Sequence, residues 1–142
     1  EILDDAYMEY RISSVRYLCE GIEKHGAHVV KPYGGHAAYV DARDMLPHIP
    51  LPEFPGQALV NALYVVGGIR AVEIGTVMFG EHAKEDLVRL ALPRRVYTQS
   101  HVDYVIEAFG DLMKERDQVP GYRMTYEPEL LRHFTAHFEP IR

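Results

Sequence analysis

Residues 87–113 read LVRLALPRRVYTQSHVDYVIEAFGDLM, and their pattern decides the fold class. Leu87, Val88, Leu90, Ala91 and Leu92 form a short apolar run broken by one charge, Arg89, which fits a strand. Pro93 stops it, because proline has no N–H to give to a ladder. Thr98 is then a natural N-cap, and Val102, Val105, Ile106, Phe109 and Met113 recur at three- and four-residue steps. That spacing predicts a helix with one apolar face. A strand giving way to an amphipathic helix places the chain in the α/β class.

The same alternation continues outward. Toward the N-terminus, 70–74 reads as a strand. Before it, a helix opens at Pro55, runs through Leu59, Leu63 and Val66, and stops at Gly67-Gly68. Four prolines make 46–55 an extended loop. Residues 28–31 and 37–41 read as strands joined across Tyr33-Gly34-Gly35, a pair suited to a hairpin. The opening helix shows Ile12, Val15, Leu18, Cys19 and Ile22 on one face, with Gly26 as its C-terminal stop. Toward the C-terminus, Pro120-Gly121 ends the 98–113 helix, and 124–127 and 133–138 read as final strands. Short turns between strands predict a single domain over 1–142, with a mostly antiparallel sheet and helices packed on it.

The 142 residues have the size of one ordinary domain. A net charge of -6, with basic residues scattered, argues against nucleic acid as a partner. No apolar run approaches the roughly 20 residues of a membrane span. The acidic opening, residues 1–5, lacks the basic start of a signal peptide. Cys19 is the sole cysteine, so an intrachain disulfide and a cysteine-based zinc cluster are both excluded, in keeping with a reducing cytoplasm.

Phosphate-cradling glycine loops and nucleophile elbows are absent. Cys19, on a helix face, reads as a buried structural thiol. His133 and His137 share one side of the expected final strand, but no third ligand stands near them, so no metal site is assigned. Arg89 is the residue that asks for an explanation. A guanidinium inside an apolar strand is costly unless paired. Its partner is either an internal carboxylate or a ligand carboxylate gripped by the planar fork. Glu73, between Val72 and Ile74, reads as a buried structural partner.

Several stretches carry a resemblance. They are Gly34-Gly35-His36-Ala37, Val40-Asp41-Ala42-Arg43, Leu46-Pro47-His48-Ile49-Pro50 and the 67–75 run GGIRAVEIG. Arg89-Leu90-Ala91-Leu92-Pro93-Arg94, Tyr97-Thr98-Gln99-Ser100-His101, Thr125-Tyr126-Glu127-Pro128 and the 131–136 run LRHFTA continue it. Together they resemble, in order and over nearly the whole chain, the β-eliminating lyase family of tryptophanase and tyrosine phenol-lyase.

The resemblance implies the small C-terminal domain of an aspartate-aminotransferase-type (fold type I) enzyme that uses pyridoxal phosphate. It implies a cytoplasmic homotetramer with a monovalent cation such as potassium. The cofactor lysine would lie in a large domain absent from these residues. Lys24, Lys31, Lys84 and Lys114 match no cofactor-lysine motif, and the chain begins without Met, so a catalytically silent piece of a longer enzyme is expected. By the same resemblance Arg89 binds the substrate α-carboxylate. The position of Ile74 is arginine in the phenol-lyases and apolar in the tryptophanases. That of His133 is phenylalanine and histidine respectively, so both favour tryptophan, cleaved to indole, pyruvate and ammonia. By the same resemblance His36 and Phe134 are expected as pocket neighbours, with a structural role for each as the alternative.

One departure is the short loop 81–85, where tryptophanases carry a longer one, and it bears on the exact substrate. A related lyase acting on tyrosine or another amino acid remains an alternative. So does a non-catalytic module for amino-acid binding or assembly.

Overall fold

The computed structural model of the protein describes residues 3–141. Glu1 and Ile2 of the acidic opening lie outside the described residues. α1 (Asp5–Glu23) starts where the Asp4 carboxylate accepts hydrogen bonds from the amides of Ala6 and Tyr7. It ends in a Schellman closure: Ala27 N–H donates to Ile22 O (3.2 Å) and Gly26 N–H to Glu23 O (2.9 Å). Gly26 sits at φ 90°. Gly26→Ala is therefore expected to cost about 1–2 kcal/mol, read as a lower urea midpoint at unchanged slope.

β1 (Ala37–Asp41) is followed by a four-residue α2 (Ala42–Met45), and α3 runs Pro55–Gly67. β2 (Val72–Ile74) leads into α4 (Thr76–Phe79), and β3 (Leu87–Ala91) precedes α5 (Gln99–Glu115). β4 (Tyr122–Tyr126), α6 (Arg132–Thr135) and β5 (His137–Pro140) complete the chain. The α/β class, Pro55 in the first turn of α3 and Thr98 as the N-cap of α5 are as expected. His101 takes the usual Glu place in the capping box: its Nδ1 accepts from Thr98 N–H at 3.2 Å.

β3 is the middle of a three-stranded sheet of order β1-β3-β2, and both pairings are antiparallel. One face, with Ala38, Val40, Val88 and Leu90, is buried under α1, α3 and α5, which supply Val15, Ile22, Leu59, Leu63 and Phe109. The other face is only partly covered: Tyr39, Ile74, Leu87 and Arg89 are half-buried, and Val72 and Ala91 are exposed. No helix of the described residues is long and apolar enough to cross a membrane.

Four expectations need correction. The expected single sheet is two, for β4 and β5 pair only with each other and dock near the start of α3, where the Phe54 and Phe138 rings meet edge-on at 5.4 Å. Residues 133–138 are not one strand. His133 and Phe134 lie on α6 while His137 and Phe138 join the ladder, so the two histidines do not share a strand face. The cause is local: Leu131 takes a left-handed conformation (φ 54°) and Arg132 turns in to bind carbonyls of α4. Residues 28–31 give a single bridge, Val29 to Val40, since Pro32 cannot extend the ladder. The proline loop contains one 3-10 turn, Leu51–Glu53.

Candidate functional site

The open sheet face is where the candidate residues gather. In the β2–β3 register Val72 faces Arg89 and Ile74 faces Leu87, so Ile74 stands diagonally from Arg89, roughly 7–8 Å away in a regular sheet. Across the other edge Tyr39 is the direct partner of Arg89. The Tyr39 hydroxyl lies 3.2 Å from His36 Nε2, with the two rings edge-on. Arg89, Ile74, Tyr39 and His36 therefore form one group. Tyr39 escaped the sequence reading, although its place between the buried Ala38 and Val40 is the alternation that turns a side chain to the opposite face.

Arg89 makes no ion pair or hydrogen bond among the described residues, and its Nε is buried without a partner. Glu73, its expected internal acid, points through the sheet to the other side, beside Val88. There Glu73 is 5% exposed and packs by Asp86, which is fully buried. Burial first, and then the neighbouring Asp86 carboxylate, push the Glu73 carboxyl up to about 8 against the opposing pull of the Val77 amide. Glu73 Oε1 accepts from Val77 N–H at 3.0 Å. Asp86 accepts from Gly56 N–H (2.6 Å), Thr76 N–H (3.0 Å) and the Thr76 hydroxyl (3.1 Å). These acids serve the helix starts, and Arg89 is left to the open face.

His133 and Phe134 sit apart, on α6, with rings 4.1 Å from each other. α6 packs on α4, which follows Ile74 and Gly75 and to which Arg132 is bonded. His133 is half-buried, while Phe134 is 72% exposed. Clefts of about 510 and 360 Å³ border α5, and neither is lined by Arg89, Ile74 or His133. The group thus lies outside both clefts, on the open face of the sheet. Burial pushes the Cys19 thiol up to about 12, so it stays protonated in the core.

No family model matches the chain. Individual proteins do. Tryptophanase of Salinibacter ruber is 56% identical over 147 residues, covering 99% of this chain and 31% of its own length. Tryptophanase of Rhodobacter capsulatus is 52% identical, covering 99% of this chain and 33% of its own length. Tyrosine phenol-lyase of Symbiobacterium thermophilum is also 52% identical, covering 99% and 32%. Over nearly its whole length this chain is similar to a segment of proteins named tryptophanase and tyrosine phenol-lyase. It spans about a third of the length of the curated relatives it matches.

The lyase family's cofactor can be tested against the residues present. Lys24, Lys31, Lys84 and Lys114 are all exposed, and none stands on the sheet face that carries Arg89. Lys31 is paired with Glu23 and Lys114 with Asp111. These four lysines therefore do not fit as holders of a Schiff-base cofactor.

Proposed function

We propose that the chain is the small C-terminal domain of a pyridoxal-phosphate lyase of the aminotransferase fold type, acting on tryptophan to give indole, pyruvate and ammonia. The observation that carries this is Arg89. A half-buried guanidinium with an unpartnered buried nitrogen is costly unless something completes it. A carboxylate does so with two parallel charge-assisted bonds.

Each residue then has a task. Arg89 holds the α-carboxylate and so fixes the orientation of the substrate's Cα–H bond, converting binding energy into alignment. Ile74, diagonal to it, gives an apolar wall suited to an indole ring, while an arginine there would suit a phenol oxygen. His133 closes the side-chain end, with His36 and Phe134 as neighbours. The cofactor, its lysine and the monovalent cation belong to the large domain of the same enzyme, a cytoplasmic homotetramer, and the 142 residues alone are inactive. Tyrosine is the second reading, favoured by a phenol-lyase as similar to the chain as one of the tryptophanases.

The test is a product assay on the full-length enzyme with pyridoxal phosphate and potassium. Indole from tryptophan with little phenol from tyrosine is expected, and phenol as the main product would replace tryptophan by tyrosine. Arg89→Ala should lower kcat/KM about 30- to 150-fold, the equivalent of about 2–3 kcal/mol of a charge-assisted contact. An unchanged kcat/KM in that variant would remove Arg89 from the site.

A further inference from the structure

α4 has four residues, too few to form a helix unaided. Side chains from elsewhere hold both the amides and the carbonyls of its first two residues. At its start Asp86 accepts from Thr76, and Glu73 from Val77. On the carbonyl side of the same two residues Arg132 donates from Nη2 to Thr76 O (2.6 Å) and from Nε to Val77 O (2.5 Å), reaching across 56 and 55 residues of sequence. Its third nitrogen, Nη1, pairs with Glu127 Oε1 at 2.5 Å. A guanidinium on helix carbonyls complements the helix dipole; its fork holds Val77 O and adds a second donor to Thr76 O, which already accepts from Gly80 N–H.

The position of this clamp in the chain gives it a second meaning. Only Gly75 separates α4 from Ile74, and His133 follows Arg132 directly. The preceding Leu131 is left-handed (φ 54°, ψ 42°), a conformation a branched side chain keeps only where its surroundings hold it. The three Arg132 bonds, one residue away, supply that hold.

We propose that Arg132 is a positioning residue for substrate selectivity: by capping α4 it fixes α6, and with it the His133 ring, relative to Ile74. The inference rests on the reading above, in which Ile74 and His133 line the side-chain pocket. A substrate with a bulky aromatic side chain feels the placement of His133. An amino acid with a small leaving group, oriented by Arg89 alone, does not.

The experiment compares tryptophan with S-methylcysteine in the full-length holoenzyme, for the wild type, Arg132→Gln and Arg132→Lys. Arg132→Gln should lower kcat/KM for tryptophan at least tenfold and leave S-methylcysteine within twofold. Arg132→Lys, which keeps one charged donor, should recover part of the loss. Equal falls on both substrates would reduce Arg132 to a stabilising residue, and no fall on either would remove it altogether. If Arg132→Gln does not fold, Glu127→Gln loosens the clamp from its exposed side, and a selective threefold fall for tryptophan is expected. A wild type that cleaves tyrosine in place of tryptophan overturns the substrate assignment only, since the same ratio taken with tyrosine still judges Arg132. A wild type that cleaves S-methylcysteine and neither aromatic amino acid overturns both.

Discussion

Replacing Asp86 by alanine is expected to destabilise the chain by about 3–5 kcal/mol, as each buried donor left without an acceptor costs about 1–3 kcal/mol. Three donors depend on this fully buried side chain: the amides of Gly56 and Thr76 and the Thr76 hydroxyl. Those amides open α3 and α4, where a carboxylate is also favoured by the helix dipoles. Packing around it is close enough that a Cβ built on Gly75 would come within 2.1 Å of Asp86 Oδ1 and 2.6 Å of its Cα. The backbone there has no room to relax, so Gly75→Ala should fall in the same range. Urea unfolding of the two variants measures both, and a loss under 1 kcal/mol for Asp86→Ala would mean that its acceptor role is dispensable.

The second large effect concerns acidity. Glu73 in the folded chain keeps its proton up to about pH 8, held mainly by burial and then by its proximity to Asp86. An unfolded glutamate releases that proton near pH 4.3, as model peptides do. Between these values the folded state binds more protons than the unfolded one, so stability falls as pH rises. The contribution is complete below the unfolded value and is lost as pH passes through about 8. A loss on the order of 3–5 kcal/mol between pH 5 and pH 9 is expected from this one group. Glu73→Gln, neutral and of the same shape, should flatten the profile and unfold at a higher urea concentration than the parent at pH 9. A parent whose stability rises steadily over that range would contradict the assignment.

What could be read from the sequence was what is encoded locally. The α3 start at Pro55, the α5 cap at Thr98 and the alternation that lays Arg89 on a strand all depend on neighbours within a few residues. Arg89 stood out because a charge in an apolar run is anomalous on sight, and among the described residues its buried Nε has no hydrogen-bond partner. Residues 131–136 could not be read in that way. Their strand-like composition is overruled by an arginine whose carbonyl partners lie more than fifty positions upstream. The same holds for Asp86, which looks like a loop residue and serves the starts of two helices. The roles proposed for Ile74 and His133 rest on family resemblance. It gave no hint of the α4 bridge between them.

That bridge has a kinetic consequence. The bonds that make α4 helical span 4, 10, 55 and 56 residues, so the turn gains its full support only after β3 is paired and α6 has arrived. Contacts of such long sequence separation form late, because the intervening chain must be closed into loops first. The α4 turn is thus expected to form after the folding transition state, an expectation that φ-values at Thr76 and Val77 near zero would meet. Changes at Thr76, Val77 or Arg132 then act on how fast the native domain opens, and hardly at all on how fast it is reached.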